Sequence, residues 1–220
     1  MLIAEELVLV GTDTEGHNLL GSNRQLAVAG ALLTELALTE HVTVDERRRL
    51  QILDAGSTGD VLLDEALVRF GEVSGKKPKD VLQRVGKHLL DPVLESLSRR
   101  ELVRREPRTI AGISLGSRWL LVDDAPRDAV VTDLVRVLSG AEPDARTGAL
   151  VSLLHAVESL PKVVQRDLRP GLTNRDVRRR GKEVTAGRWA PEAVAKAVQE
   201  AAAAVAAITA TTAASGGDGG

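Results

Sequence analysis

Three carboxylates lie close together in the segment of residues 58–67, at Asp60, Asp64 and Glu65. Asp60 and Asp64 are four residues apart, which places both on one helix face, where paired carboxylates can share a proton or hold a metal ion. The segment contains no histidine and no further carboxylate. Thr58 and Asp60 are residue types that begin helices, and acidic side chains in a first turn favour the helix dipole. We therefore predict that these residues cap a helix and do not perform acid–base chemistry.

Other residue types that carry chemistry are absent or scattered. The chain has no cysteine, which excludes disulfides, thiolate catalysis and thiolate metal sites. Its four histidines, His17, His41, His88 and His155, do not have the spacing of zinc ligands, and His155 lies in an apolar stretch typical of a core histidine. No hydrolase elbow, dinucleotide loop or Walker phosphate loop occurs. We therefore expect a protein that is not an enzyme and that uses no metal and no cofactor.

The charges of the chain are almost balanced. With 29 Lys and Arg against 31 Asp and Glu, the formal net charge is -2, without the positive field of a general nucleic-acid binder. The densest basic run, residues 175–188, predicts a solvated helix face, with an anionic partner as the alternative. The N-terminus carries Glu5 and Glu6 and lacks the pattern of a signal peptide, and no segment is apolar enough for a membrane span. These features predict a cytoplasmic protein.

Hydrophobic periodicity and breaker residues predict a mainly helical fold: a single globular domain over residues 1–212 with two small β-hairpins, followed by a disordered tail over residues 213–220. One hairpin pairs residues 42–44 with 50–53, and the other pairs 102–106 with 118–122 around a loop at 107–116. The predicted helices are residues 2–10, 23–38, the segment beginning at 58–60, 78–90, 92–100, 126–138, 143–158, 161–168, 173–186 and 190–212.

The run of residues 58–67, TGDVLLDEAL, matches the signature of the Golgi phosphoprotein 3 family almost letter for letter. The other segments that match the family, in its order, are residues 5–11, 35–38, 154–156 and 189–190. The resemblance covers roughly residues 2–210 and implies a helical domain with a protruding hairpin. It also implies a peripheral membrane protein that recognises phosphatidylinositol 4-phosphate and, in eukaryotes, retains glycosyltransferases in the Golgi. The expected partners are therefore an anionic lipid on the inner face of a membrane and a protein cargo.

The resemblance further implies a headgroup pocket, in which cations converge on phosphate groups beside an indole at the membrane interface. The tryptophan of this pocket falls on Leu20 in this chain, and its first arginine falls on Ala29. Two further basic positions fall on Lys87 and Leu90. One of the four matching positions is therefore basic.

Two other cations are candidates to replace the missing ones. Arg84 lies one helical turn before Lys87, and Arg24 lies near the start of the second predicted helix. We therefore predict that Lys87, Arg84 and Arg24 bind the lipid headgroup. The alternative is that all three are ordinary solvated charges on the protein surface.

The second predicted hairpin, residues 102–122, is the other predicted membrane contact. In the resembling family the corresponding hairpin supports oligomerisation and membrane contact. Ile113 and Leu115 are therefore predicted to insert into the bilayer beside the arginines of the hairpin, and the same hairpin is the predicted surface for a homo-oligomer. The alternative is that its apolar side chains fold back onto the core.

A winged-helix DNA-binding regulator is the competing class. A helix over residues 92–100 followed by the hairpin at 102–122 is the order of a helix and its wing, and several arginines lie near that wing. The acidic balance of the chain and the run at residues 58–67 count against this reading, so a nucleic-acid partner is not favoured.

Overall fold

The computed structural model describes residues 1–110, 113–165, 172–187 and 192–215. Within these ranges, ten α-helices and two antiparallel two-stranded hairpins form the mainly helical fold that the sequence predicts. The helices are α1 (Ile3–Val10), α2 (Arg24–Leu38), α3 (Val61–Gly71), α4 (Pro78–Val85), α5 (Leu90–Arg99), α6 (Ala125–Leu138), α7 (Ala145–Ala156), α8 (Leu160–Val164), α9 (Asn174–Ala186) and α10 (Glu192–Ser215). The strands are β1 (Val42–Val44), β2 (Leu50–Ile52), β3 (Val103–Ile110) and β4 (Ile113–Leu121), and two 3-10 turns lie at Gly21–Asn23 and Gly86–His88.

Helix α2 is the centre of the core. Every residue from Leu26 to Ala37 is buried, and the helix contacts α1, α3, α4, α5, α7 and α10. All but two of these residues, Thr34 and Glu35, are apolar or glycine, and a helix with apolar residues on every face has to be enclosed in this way. Gly30 gives its neighbours room, because an added methyl group would lie 3.0 Å from Leu153 Cδ2 of α7 and 3.1 Å from Val205 Cγ2 of α10.

A buried carboxylate of α2 fixes the N-terminus of the chain. Glu35 accepts a hydrogen bond from the Ile3 backbone N–H at 2.7 Å and forms an ion pair with Arg146 of α7. Arg146 also donates to the Met1 carbonyl at 2.6 Å. The charge of Glu35 is therefore compensated inside the protein, as a buried charge requires.

The carboxylates of residues 58–67 have the structural roles predicted for them. Asp60 Oδ1 accepts hydrogen bonds from the backbone N–H groups of Leu62 at 2.9 Å and Leu63 at 3.2 Å, so it caps α3. Asp64 accepts from the Thr58 backbone at 2.6 Å and from the Thr58 hydroxyl at 2.7 Å. These hydrogen bonds hold the pKa of the Asp64 carboxyl below its usual value. The capping prediction is confirmed.

The first hairpin is joined to the loop before α4. β1 and β2 pair antiparallel, with Val42 opposite Ile52 and Val44 opposite Leu50. The backbone of Leu50 also forms two hydrogen bonds with the loop before α4. Its N–H donates to the Lys76 carbonyl at 2.9 Å, and its carbonyl accepts from the Gly75 N–H at 2.7 Å. The turn of the hairpin and the start of α4 are therefore held side by side.

The second hairpin is longer than the sequence predicts. β3 and β4 extend to Ile110 and Ile113, so the prediction of a loop at residues 107–116 is wrong. Pro107 lies within β3, where the pairing register shifts between Pro107 and Thr109. Proline is tolerated here because each strand of a two-stranded ribbon is an edge strand, and its missing N–H needs no ladder partner.

Several helix boundaries also differ from the prediction, and α8 ends at Val164, before the predicted end at residue 168. The predicted helix at residues 78–90 is interrupted, since α4 ends at Val85 and a 3-10 turn follows before α5 begins at Leu90. Helix α10 continues to Ser215, three residues beyond the predicted end of the domain. The rest of the predicted tail, residues 216–220, lies outside the described residues. None of the described helices is both long enough and apolar enough to cross a membrane.

Candidate functional site

Arg84 and Lys87 line the same surface cleft. The cleft has a volume of about 480 Å³, and its walls come from the end of α3, the end of α4 and the 3-10 turn after it. We call it the Arg84 cleft, and its lining residues are Arg69, Glu72, Val73, Gln83, Arg84, Val85, Lys87 and His88. Both predicted cations are exposed, so their charged groups remain available to a ligand in solution.

The charges in the Arg84 cleft are mostly positive. Arg69, Arg84 and Lys87 are cations, and Glu72 is the one carboxylate in the lining. Arg69 is already paired with Glu65 of its own helix, at 2.8 Å between Nη2 and Oε1. Within the described part of the chain, Arg84 and Lys87 have no ion-pair or side-chain hydrogen-bond partner. Two unpaired cations in one cleft can supply the charge and the hydrogen-bond donors that a phosphate or carboxylate requires.

The local fold follows from the sequence of this segment. Pro78 begins α4, and Val81, Leu82 and Val85 bury one face of the helix against the core, which leaves Gln83 and Arg84 exposed. Gly86 is buried against α2, where an added methyl group would make ordinary contacts, 3.4 Å from the Gln25 carbonyl oxygen and 3.6 Å from Ala29 Cβ. The 3-10 turn therefore packs on α2 through Gly86, while the side chain of Lys87 is exposed to solvent.

The structure does not bring Arg24 into the Arg84 cleft. Arg24 is half-buried at the start of α2, and its Nη2 donates to Thr12 Oγ1 at 3.2 Å. Burial lowers the pKa of its guanidinium to about 10. The Arg24 side chain therefore supports the loop after α1 and does not line the Arg84 cleft, and its role in headgroup binding stays a prediction.

Comparison with known proteins identifies the family. The model of the Golgi phosphoprotein 3 (GPP34) family matches residues 3–201, which is most of the chain. The chain belongs to the Golgi phosphoprotein 3 family. A search of curated proteins finds no match. The resemblance of residues 58–67 to the Golgi phosphoprotein 3 signature is therefore confirmed as family membership.

The three apolar positions on which the resemblance places the predicted headgroup pocket, Leu20, Ala29 and Leu90, are mostly buried. Leu20 is 2% exposed and packs against Gly11, where an added methyl group would lie 2.6 Å from Leu20 Cγ. Ala29 is fully buried under the 3-10 turn, and Leu90 is half-buried. Lys87 is the one basic member of that set, and its charged neighbours in the structure come from α3 and α4.

The contribution of α3 to the cleft is not evident from the sequence. Arg69 and Glu72 lie in the walls of the Arg84 cleft, and so does His88 of the 3-10 turn. Arg69 lies four residues after Glu65, and this spacing predicts only an ion pair between neighbouring turns of one helix. Only the packing of α3 against α4 brings Arg69 and Glu72 to Arg84, and no local sequence signal reports that packing.

The predicted insertion residues lie outside what can be described. The backbone of Ile113 and Leu115 belongs to β4, but their side chains are outside the described residues. Their role in the bilayer and the homo-oligomer through this hairpin therefore stay predictions.

Two arginines of the basic run on α9 have partners within the protein, and for the rest of the run both predicted roles, a solvated face or an anionic partner, stay predictions. Arg179 pairs with Asp176 and Glu183 at 3.4 and 3.1 Å. Arg180 donates to the carbonyls of Val137 and Ala141, at 3.2 and 3.0 Å, and so caps the end of α6. These arginines are used within the fold, unlike Arg84 and Lys87.

Proposed function

We propose that this protein is a non-enzymatic peripheral membrane protein that binds the phosphate groups of anionic lipids in the Arg84 cleft. The observation that carries the proposal is the pairing of two exposed, unpartnered cations, Arg84 and Lys87, in one concave surface. By its family, phosphatidylinositol 4-phosphate is the first ligand to test, and recruitment of a protein cargo to the membrane is the further role. The site acts from the aqueous side of the membrane.

The energetics favour weak binding that depends on charge. Each Lys or Arg near an anionic leaflet contributes about 1 kcal/mol, so two free cations give a marginal anchor that needs several contacts to become stable. The apolar residues at Leu20 and Ala29 remove two groups that would otherwise recognise one headgroup. We therefore expect broad recognition of anionic lipids, with modest preference among headgroups.

The charges around α5 favour this membrane function over DNA binding. The exposed face of α5 carries Asp91 and Glu95, which would repel the phosphates of a duplex. Arg100, at the end of the helix, pairs with the buried Glu5 at 2.8 Å. Arg104 in the following strand pairs with Glu106 at 2.7 Å. The arginines of the apparent wing are therefore largely committed to partners in the protein.

Vesicle flotation tests the proposal. The protein is mixed with neutral phosphatidylcholine vesicles and with vesicles that also contain phosphatidylglycerol, cardiolipin or phosphatidylinositol 4-phosphate, at low and at physiological salt. We expect binding to each anionic mixture and none to the neutral vesicles, with binding reduced by salt because the attraction is electrostatic. The Arg84→Ala/Lys87→Ala variant is expected to bind about 30-fold more weakly, from two lost contacts of about 1 kcal/mol each.

A matched control separates the cleft from net charge. Arg136→Ala/Arg179→Ala removes the same two charges from exposed arginines of α6 and α9. It is expected to keep binding within about threefold of the unmodified protein, because these charges lie outside the cleft. Equal losses in both double variants would show that the Arg84 cleft is not the site, and an absence of binding to every anionic mixture would refute the proposed function.

A further inference from the structure

A second cluster of cations lies at the other end of α4. Arg47 and Arg48 from the turn of the first hairpin, together with Lys77 and Lys79 from the start of α4, line a cleft of about 220 Å³ whose floor is formed by alanines of α10. We call it the Lys79 cleft. Its one carboxylate is Glu200, which pairs with Arg48 at 2.6 Å between Oε1 and Nε. Within the described ranges, Arg47, Lys77 and Lys79 have no side-chain partner.

The fold holds these cations together in spite of their mutual repulsion. The hydrogen bonds of Leu50 with Gly75 and Lys76 fasten the hairpin to the loop before α4. The Arg48–Glu200 pair fastens the turn of the hairpin to α10, and Lys196 of α10 donates to the Asp45 carbonyl at 3.2 Å. Like charges held side by side cost free energy, and an anionic ligand bound between them would offset that cost.

The N-terminus of α4 adds to the positive potential. Lys77 is the N-cap residue of this helix, Pro78 is its first residue, and Lys79 follows. The first backbone N–H groups of a helix have no partner within it and give this end a partial positive charge. The cleft therefore combines side-chain cations with helix dipole, and both favour an anion.

We propose that the Lys79 cleft is a second phosphate site, and that the protein docks on an anionic lipid surface through two sites at the two ends of α4. This inference rests on the proposed function of the Arg84 cleft. Lys79 and Gln83 are four residues apart and therefore share a face of α4, while Lys79 lines one cleft and Gln83 lines the other. The two clefts therefore follow one another along α4, the Lys79 cleft between α4 and α10 and the Arg84 cleft between α4 and the end of α3.

A lipid surface fits this arrangement better than a single small anion. α4 has eight residues, so the two clusters are separated by about 12 Å along its axis. One phosphate cannot reach both clefts, whereas a layer of headgroups presents many phosphates side by side. The floor of the Lys79 cleft consists of alanine methyl groups, Ala203, Ala204 and Ala207, and provides no deep apolar groove for an amphipathic helix of a protein partner. Two linked contacts on one vesicle reinforce each other through effective concentration.

Flotation of four proteins on phosphatidylglycerol vesicles tests the inference. They are the unmodified chain, Arg47→Ala/Lys79→Ala, Arg84→Ala/Lys87→Ala, and the charge-matched control Arg136→Ala/Arg179→Ala. We expect the Arg47→Ala/Lys79→Ala variant to bind about 30-fold more weakly than the unmodified chain, with the control within about threefold. Arg47→Lys/Lys79→Arg keeps both positive charges and is expected to bind like the unmodified chain. This result would show that the alanine variant loses binding through its lost charges and not through misfolding. The thermal unfolding of each variant is measured as well, and an unchanged melting temperature shows that the variant is folded.

The outcomes separate this inference from the proposed function. If Arg47→Ala/Lys79→Ala binds like the control while Arg84→Ala/Lys87→Ala loses binding, the second site is refuted and the first stands. If only Arg47→Ala/Lys79→Ala loses binding, the Lys79 cleft is a lipid site and the proposed function fails in its location. Polyglutamate serves as a probe for an acidic protein: if it binds more tightly than the vesicles and depends on Arg47 and Lys79, the lipid assignment of this cleft is wrong.

Discussion

The backbone N–H of Leu50 donates a hydrogen bond to the carbonyl of Lys76 at 2.9 Å. This bond joins two separate segments of the chain, and each of them carries candidate cations. Leu50 ends the turn of the first hairpin, which carries Arg47 and Arg48. Lys76 precedes α4, which carries Lys79 and Arg84. The bond therefore holds the cations of the hairpin turn next to those at the start of α4, and Arg84 and Lys87 follow at the other end of this helix.

Removal of the acid in the Arg84 cleft should strengthen membrane binding. Glu72 is exposed, lies at the end of α3 and is the carboxylate in the cleft lining. Glu72→Gln removes a negative charge that opposes anionic lipid, so the affinity for phosphatidylglycerol vesicles should rise about fivefold, corresponding to about 1 kcal/mol. The measurement is flotation at low salt. Glu95→Gln, an exposed acid of α5, is the control, and an equal gain there would mean that only net charge matters.

Loss of the α3 cap should lower stability without altering the charge of the cleft. Asp60 accepts two backbone N–H groups of α3. Asp60→Ala leaves these donors without their partner, and the free energy of unfolding should fall by about 1 kcal/mol in a denaturant titration. Asp60→Asn keeps a capping oxygen and should recover most of that loss. A fully stable Asp60→Ala protein would contradict the capping role.

The buried Glu35 should be among the most sensitive polar positions of the fold. It receives the Ile3 N–H and pairs with Arg146, and it is 4% exposed. Glu35→Gln removes the more buried of the two carboxylates that pair with Arg146, the other being Glu6 at 3.4 Å, so the free energy of unfolding should fall by about 2 kcal/mol. A double-mutant cycle with Arg146→Gln should show coupling between the two residues. Additive losses would show that the pair contributes nothing as a pair.

His155 should make the protein less stable as the solution becomes mildly acidic. Burial lowers the pKa of the His155 imidazole, with a further lowering by Lys182 and an opposing effect of Glu158. Since the unfolded chain then binds a proton more readily than the folded one, stability should decrease as the pH falls through about 6.5, the ordinary histidine value. Thermal unfolding at pH 7.5 and 5.5 measures this loss.

A histidine variant isolates that contribution. His155→Gln removes the ionisable group and should make the decrease between pH 7.5 and 5.5 smaller than in the unmodified chain. His88→Gln changes an exposed histidine outside this position and is the control. An identical pH dependence in all three proteins would exclude His155 as its source.

Local signals predicted the helical elements well. Asp60, Pro78 and Gly11 are capping or breaking residues whose effect is confined to one turn, and each lies at the helix boundary that the sequence indicates. The extension of β3 through Pro107 was not predictable in the same way. A proline normally ends a strand, and only the two-stranded architecture makes its missing N–H harmless.

The candidate site could be predicted only in part, because local spacing does not report which distant segments pack together. Arg84 and Lys87 are neighbours along the chain, and their shared cleft follows from local spacing. Arg24 was a plausible helper by position, but it contacts Thr12 because of how the loop after α1 folds back on α2. Arg69 reaches the cleft through the packing of α3 on α4. Contacts between distant segments depend on tertiary packing, which single-sequence patterns do not encode.

A fluorescent probe in the Arg84 cleft gives the most direct test of where the membrane binds. The chain has no cysteine, so Gln83→Cys creates a single labelling position that lines the cleft and removes no charge. Thr132→Cys places the same label on the exposed side of α6. With phosphatidylglycerol vesicles, an environment-sensitive fluorophore at Gln83→Cys should shift to shorter wavelength while the label at Thr132→Cys stays unchanged. A shift at Thr132→Cys alone, or no shift at either position while the protein floats with the vesicles, would contradict docking through the Arg84 cleft.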